Sequence, residues 1–422
     1  MGLGFSASAY EVRKSNTGEP LRWAEGDVPF VIALDEGPIG VAPDDARAAA
    51  GEAITAYQLA LQRMAPGVHI QSHELDGSVS GSSTDDGISV VRWVTSRWDD
   101  DFDPSALAVT VTTYDADSGR ITDADVAING EHYRWSAASD ESACTGGFDL
   151  QNTLTHELGH AFGLAHEMTD HAATMYPTAD PCETSKRDLD VEDMRGLSYL
   201  YVVVGPADAG CSVGGRSGPG DAPSLVLVAL VLAARLGRRR SALARPALPA
   251  ALIVVALALG LAAPAGATTL VRLSMDAVGA ASEVIVQGNV VSTQVFRRGQ
   301  RVYTDTTIAV ASCLRGACGS AVTVRQLGGE LDGRGTAIEG TARFAAGDEV
   351  VVFLRRRADG AYAPVGMMQG VLGVERAPDR TVQGYRRDLR GVGFAGEDRA
   401  GAVERVRPEE LRRALDSAVA PR

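Results

Sequence analysis

The sequence predicts two unlike halves, an α/β domain over residues 10–205 and a small β-rich barrel or sandwich over residues 268–422. Three observations predict this. Up to Tyr201, apolar strand-like runs alternate with long helical patterns, whereas beyond residue 268 Gly-rich joints separate short alternating runs. Charge divides at the same place: about 12 of the 40 Lys and Arg, but about 34 of the 54 Asp and Glu, fall within residues 1–205. All seven His precede residue 172, so whatever the second half does, it does without histidine. The 422 residues leave room for two or three domains, and a hydrophobic fraction of 45% suffices for cores of useful size. An acidic first half disfavours nucleic acid as its partner.

Taken in order, residues 1–9 read as the end of a secretory signal peptide. Ala7-Ser8-Ala9 fits the small-x-small cleavage rule, while the charged region and most of the apolar run are missing. A short N-terminal tail is the alternative. Val28 to Leu34 is an apolar strand. Asp44 to Met64 has an acidic start and Ala48, Ile54, Tyr57 and Leu61 at helical spacing, which predicts a long helix packed on the sheet. Ile88 to Trp93 and Ala106 to Tyr114 are further strands. Asp117-Ser118-Gly119 makes a turn, and Asp123 to Asn129 forms another short strand. A helix begins near Leu150, with Asn152 or Thr153 in its first turn.

That helix carries His156-Glu157-Leu158-Gly159-His160-Ala161-Phe162-Gly163-Leu164-Ala165-His166. Residues four apart share one helical face, so His156 and His160 can bind a single Zn²⁺. Glu157 then lies beside the metal without binding it, where a general base belongs. Gly163 can take the left-handed turn that stops the helix and brings His166 back as third ligand. Scattered surface histidines are the bland alternative. The added Gly and third His at fixed spacing disfavour it.

Downstream, Ala173-Thr174-Met175-Tyr176-Pro177 resembles the Met-turn of the metzincin proteases, and Met-Tyr-Pro is typical of their matrixin-like branch. The resemblance covers roughly residues 20–202. It implies a metzincin catalytic domain with a twisted mixed sheet, two long helices and a cleft under the edge strand. Met175 would be a packing floor beneath the histidines, and Pro177 with the loop to Asp188 a wall of the substrate pocket. The edge strand would be the one from Asp123 to Asn129, with Val126, Ala127 and Ile128 offering backbone groups to an extended peptide. Leu189 to Tyr201 resembles the closing helix, with Val191, Met194, Leu197 and Leu200 as its buried stripe. Two departures stand out. No cysteine-switch propeptide is seen, so a thiol holding the zinc latent would come from elsewhere. The second-zinc His/Asp pattern is also missing, so one zinc is expected.

Asp99, Asp100, Asp101, Asp115, Asp117, Asp123 and Asp125 could hold Ca²⁺, although solvated loop acids are the commoner meaning of such a set. Cys144 precedes the histidine helix and Cys182 follows the Met-turn, while Cys313 and Cys318 enclose a short loop. Each pair reads either as a disulfide of an oxidising compartment or as two buried thiols.

Residues 206–221 form a Gly/Ser/Pro linker containing Gly210-Cys211. The apolar run Ala222 to Ala234 follows, and Arg235 with Arg238-Arg239-Arg240 ends the segment 222–240. This order resembles the tripartite C-terminal sorting signal of myxobacterial surface proteins, in which Cys211 would be the point of processing and anchoring. A plain membrane tail is the alternative. Residues 241–267 then repeat charged region, apolar run and an Ala265-Gly266-Ala267 cleavage site, as the signal peptide of a second secreted protein would. If both runs stay in the membrane, they form a hairpin with both large domains outside. Within 268–422, Ser282 to Val291, Tyr303 to Val310, Ala321 to Leu327 and Glu349 to Leu354 are strands, and Pro408 to Val419 a closing helix.

The expectation is an exported, surface-anchored or extracellular zinc endopeptidase acting on proteins or peptides. It would meet a membrane through residues 222–263 and a sorting enzyme at Cys211. The rival is a non-catalytic surface adhesion protein whose metal site is vestigial. A further alternative is that the second half inhibits the first in cis.

Overall fold

The structure, a computed structural model, describes residues 10–38, 40–74, 86–167, 173–176, 179–205, 207, 270–389 and 403–417. The expectations at Ala7–Ala9, Pro177 and Cys211, and for the apolar runs between 222 and 267, lie outside these residues. Among the described residues no helix is long and apolar enough to cross a membrane.

The first half is a sheet with helices against one face. Strand β1 (Gly26–Ala33) turns Val28, Phe30 and Ile32 into the main core at the period of two that a pleated strand imposes. Helix α1 (Pro43–Met64) begins with a proline and Asp44 and Asp45, which suit the positive end of the helix dipole, and buries Ala46, Ala50, Ala53, Ile54, Tyr57 and Leu61. Strands β2 (Val68–Glu74) and β3 (Ser89–Val94) lie parallel to β1 on either side. A one-turn helix, α2 (Trp98–Asp101), leads to β4 (Ala108–Asp115) and β5 (Ile121–Asn129). The short strands β6 (Trp135–Ser136) and β7 (Phe148–Asp149) pair just before α3 (Leu150–Ala161). The closing helix is α4 (Val191–Ser198), continued by a wide turn from Tyr199 to Val203.

Two expectations are corrected here. β5 is not an edge strand. Val126 pairs with Val91 of β3 in parallel, and Ala127 with Val109 of β4 in antiparallel, so the backbone on both sides of Val126, Ala127 and Ile128 is committed. The passage through α2 carries the chain one place beyond β3, and the tight hairpin then folds β5 back into the gap. The arm left outside is β4. In the closing helix, Leu197 and Leu200 are buried and Met194 partly so, but Val191 is 59% exposed. It opens the first turn, before the helix reaches the core.

The second half contains α5 (Met275–Ala280), β8 (Val284–Arg298), β9 (Arg301–Arg315), β10 (Ala321–Leu327), β11 (Gly329–Leu331) and β12 (Arg334–Ile338). After these come β13 (Glu349–Arg356), β14 (Tyr362–Pro364), β15 (Val371–Arg376), β16 (Val382–Asp388), β17 (Val403–Val406) and α6 (Pro408–Asp416). The strand order is β14-β10-β9-β8-β13-β15-β16-β17, and β14 also pairs with β13, which closes a small barrel. Alternation along β13 makes its two faces: Val350, Val352 and Leu354 join one apolar cluster, Val351 and Phe353 another that α6 covers with Leu411 and Ala414.

The barrel is not separate from the first half. The hairpin β11–β12 leaves it and extends the other sheet, whose full order is β11-β12-β4-β5-β3-β1-β2. Trp98, Phe102, Val109, Val111 and Ala127 form one apolar cluster with Leu270, Tyr303, Leu327, Ile338 and Leu389. The face of the antiparallel pair β4–β5 that would otherwise meet water is thus buried by the second half.

Cys144 and Cys182 are joined, with Cα atoms 5.6 Å apart, and so are Cys313 and Cys318 at 5.8 Å. The first bond spans 38 residues and ties the approach to α3 to the chain beyond the Met-turn. Its removal in Cys144→Ser/Cys182→Ser should lower stability by about 3–4 kcal/mol on the chain-entropy estimate, measured by denaturant unfolding beside the oxidised parent. A second expectation concerns Asp125 on β5, where burial first and the Asp123 carboxylate next push the carboxyl up to about 8. The unfolded chain ionises this group near pH 4 and the folded one near pH 8, so folding stability falls as pH rises between them. Asp125→Asn should therefore gain more over the parent at pH 8 than at pH 4 in metal-free melts. An equal difference at the two values would count against this assignment.

Candidate metal centre and active site

Helix α3 starts where Asp149 caps it by accepting the Asn152 N–H at 2.8 Å, and Arg187 holds that cap with a bidentate grip of 2.9 and 2.5 Å. Its other end is stopped by Gly163, at φ +91°, where a Cβ would lie 2.0 Å from the Leu21 carbonyl oxygen. Only glycine fits so close a crossing. The turn brings His166 back to the helix. The Nε2 atoms of His156, His160 and His166 lie 2.7, 3.0 and 3.1 Å from one another, and all three rings are buried.

The opposite nitrogens explain why those atoms converge. His156 Nδ1 lies 2.7 Å from the Thr174 carbonyl oxygen and His160 Nδ1 3.0 Å from that of Leu164. A carbonyl accepts only, so each Nδ1 carries the proton and each Nε2 presents its lone pair. Burial drives the titration of His156 down to about 4 and those of His160 and His166 well below the usual imidazole range. Three neutral imidazoles aimed at one point are a donor set that suits Zn²⁺. Among the described residues this is the one group of three or more His, Cys, Asp or Glu side chains so gathered. Among the described residues, the aspartates considered for Ca²⁺ form no such group: Asp99 pairs with His132, Asp115 accepts from Ser118, and Asp125 accepts the Val90 amide.

Glu157 is fully buried beside this centre. The Thr110 hydroxyl, on the inward face of β4, donates to its Oε2 at 2.5 Å, while Oε1 has no hydrogen-bond partner. Burial pushes the carboxyl up to about 7, against the lowering effect of Thr110 and of the Arg13 charge. Met175 lies below, 1% exposed. Its turn is fixed by Asp193 of α4, which accepts the Thr174 N–H at 2.8 Å and the Met175 N–H at 3.1 Å. The chain runs from Asp193 through Thr174 to His156, so α4 orients a ring on α3. Gly159 lets the floor come this near: a Cβ there would meet Met175 Sδ at 2.0 Å and the Tyr57 hydroxyl at 2.7 Å.

Three contributors escape a reading of the sequence: Arg13, Thr110 and Asp193. Arg13 is 2% exposed and donates to Thr112 Oγ1 at 2.5 Å and to the His160 carbonyl at 3.0 Å. A lone buried arginine in the N-terminal segment has no local signature, and the same holds for a threonine in an apolar strand. For Asp193 a signal existed: it sits three residues after Asp190, and the two form a capping box.

Residues 93–202 match the matrixin family. Over 69 residues the chain is 41% identical to metalloendoproteinase 1 of Glycine max, a stretch of 16% of this chain and 22% of that protein. It is 37% identical over 67 residues to metalloendoproteinase 4-MMP of Arabidopsis thaliana, again 16% of this chain and 19% of the relative. Human matrix metalloproteinase-20 is 44% identical over 57 residues, 14% of this chain and 12% of that protein. The chain thus spans about a fifth of the length of these two plant relatives.

Gly159→Ala offers a direct check of the packing beneath the histidines. Overfilling this contact should cost about 1–3 kcal/mol and reduce bound zinc below one per chain, read by thermal melting and metal analysis. A fully zinc-loaded variant melting with the parent would contradict the close approach of Met175.

Proposed function

We propose that residues 10–205 form a zinc endopeptidase domain of an exported, surface-anchored or extracellular protein. The observation that carries this reading is the convergence of three neutral imidazole nitrogens beside a buried, still basic carboxylate. His156, His160 and His166 would hold the ion, and the similarity of residues 93–202 to matrixins supports the same assignment. Zinc in such a site supplies Lewis acidity, polarising a peptide carbonyl and lowering the pKa of a water.

Everything else is the work of the chain's own groups. Thr110 occupies Oε2 of Glu157 and leaves Oε1 to take a proton from the attacking water and return it to the departing amine. The dry surroundings that raise the carboxyl to about 7 make it a stronger base than an exposed glutamate. Met175 packs as a floor and keeps water from the far side of the rings. The substrate would be an extended protein segment pairing with the outer arm of the β4–β5 hairpin. Pro177 and the loop to Asp188 would shape its pocket. Cys211 and residues 222–263 would serve sorting and membrane attachment.

Glu157→Gln keeps the shape of the side chain and removes its basicity. It should lower kcat for an extended fluorogenic peptide by roughly 10²–10⁴-fold with one zinc still bound, whereas His156→Ala should lose zinc and activity together. Equal behaviour of parent and Glu157→Gln would favour the adhesion-protein reading. Intact mass and zinc content of the protein from its native host test the export scheme: one zinc-bearing species near 44.1 kDa supports a single two-part protease. Two fragments divided between Cys211 and Ala267 would mean separately exported proteins.

A further inference from the structure

The outer edge of β4 is occupied from within the chain. β12 lies on it in antiparallel register, with Arg334 opposite Asp115 and Ile338 opposite Val111. One step further along that register stands Thr110, the residue that holds the Glu157 carboxylate. β12 therefore runs along β4 toward the reacting centre. A strand offers one row of N–H and C=O groups on each side, and β5 takes the other row of β4. An extended peptide and β12 need the same atoms.

The hairpin is held by side chains specific to it. Gly335 lies flat under the Tyr114 ring, where a Cβ would approach ring atoms to 2.2 Å, and the Tyr114 hydroxyl donates to Glu330 at 2.9 Å. The Ala116 N–H donates to the Gly333 carbonyl at 2.8 Å. Ile338 enters the apolar cluster beside Val109 and Val111. Beyond it, Glu339 pairs with Arg13 at 2.5 Å, and Arg13 also donates to the Ala337 carbonyl at 3.2 Å. Both partners of this ion pair are nearly inaccessible, at 2% and 7% exposure. Arg13 is the residue that grips the His160 carbonyl, so the latch reaches the histidine helix itself. Glycines in the left-handed region bound the limb, Gly328 and Gly329 before it and Gly340 after it.

We propose that β12 with Glu339 is an internal competitor for the substrate strand, and that the intact protein is a latent enzyme opened by displacement of the β11–β12 hairpin. This rests on the reading of the site as a peptidase. A closed form that cannot bind substrate raises the apparent KM by the reciprocal of the open fraction and leaves kcat alone. Loosening the hairpin therefore has a kinetic signature that a change in the reacting groups would not give.

The test compares the full-length parent with Gly335→Leu, which places a side chain where the Tyr114 ring lies. Thr336→Pro, which takes an amide out of β12, is measured beside it. Zinc content and hydrogen exchange at Val111–Asp115 are followed in each, together with kcat and KM on an extended peptide. The expected result is one zinc per chain throughout, faster exchange over Val111–Asp115 in both variants, and a KM lower by roughly tenfold or more at similar kcat. Faster exchange with unchanged KM overturns the competitor role and leaves the peptidase reading standing. Faster exchange with no cleavage by any of the three proteins overturns both. Unchanged exchange in both variants overturns the inference at its first step, because the hairpin would then not be a displaceable limb.

Discussion

Three nitrogen lone pairs aimed at one point repel one another unless a cation sits among them, and the rest of the first half is arranged to hold them there. Carbonyl acceptors at Thr174 and Leu164 fix the ring tautomers of His156 and His160. Gly163 turns the chain, and Gly159 admits the Met175 floor. Asp193, on α4, clamps the turn that contains Thr174 and Met175. Burial then keeps the imidazoles unprotonated through the neutral range. Each element is ordinary by itself. Their joint requirement is a dry pocket of fixed geometry, and this is why the turns that carry His166 and Met175 are pinned to the helices α3 and α4 by backbone and side-chain hydrogen bonds.

What could be read in advance was what local spacing encodes. The histidines, Glu157 and Gly163 fall within eleven residues, and helical periodicity alone puts them together. β1, β3 and α1 were legible for the same reason, through apolar patterns of period two or near 3.6. Sheet order was not legible. Whether β4 or β5 lies outside depends on where a crossover lands, and neither strand records that in its own residues. Arg13, Thr110 and Asp193 act across 147, 47 and 18 residues respectively, so no window along the chain shows them as a group. Val191 shows the same limit from the other side: it sits in phase with a buried stripe but lies one turn before the stripe meets the core.

The second half was legible as β-rich, and its closure through β14 follows from strands whose two faces are both apolar. Its relation to the first half was not. Residues such as Trp98, Phe102, Val109 and Val111 read as core wherever they stand, and a sequence does not say which part of the chain will cover them. Here Leu270, Tyr303 and Leu327 do so. Arg355 adds to the contact by donating to the carbonyls of Asp99 and Phe102, and Asp103 accepts the Gly366 amide at 2.9 Å.

The pairing of β12 with β4 also imposes an order in time. Val111 and Ile338 are neighbours in space but lie more than two hundred residues apart along the chain. At synthesis rates of about 5–20 residues per second, β4 would precede its partner by roughly 11 to 45 seconds. During that interval the nascent first half can complete its helices and its other strands while one strand margin stays open to any neighbouring extended segment. In a ribosome-bound chain of this design that margin is exposed to mispairing until its last third arrives, a hazard that the finished molecule no longer shows.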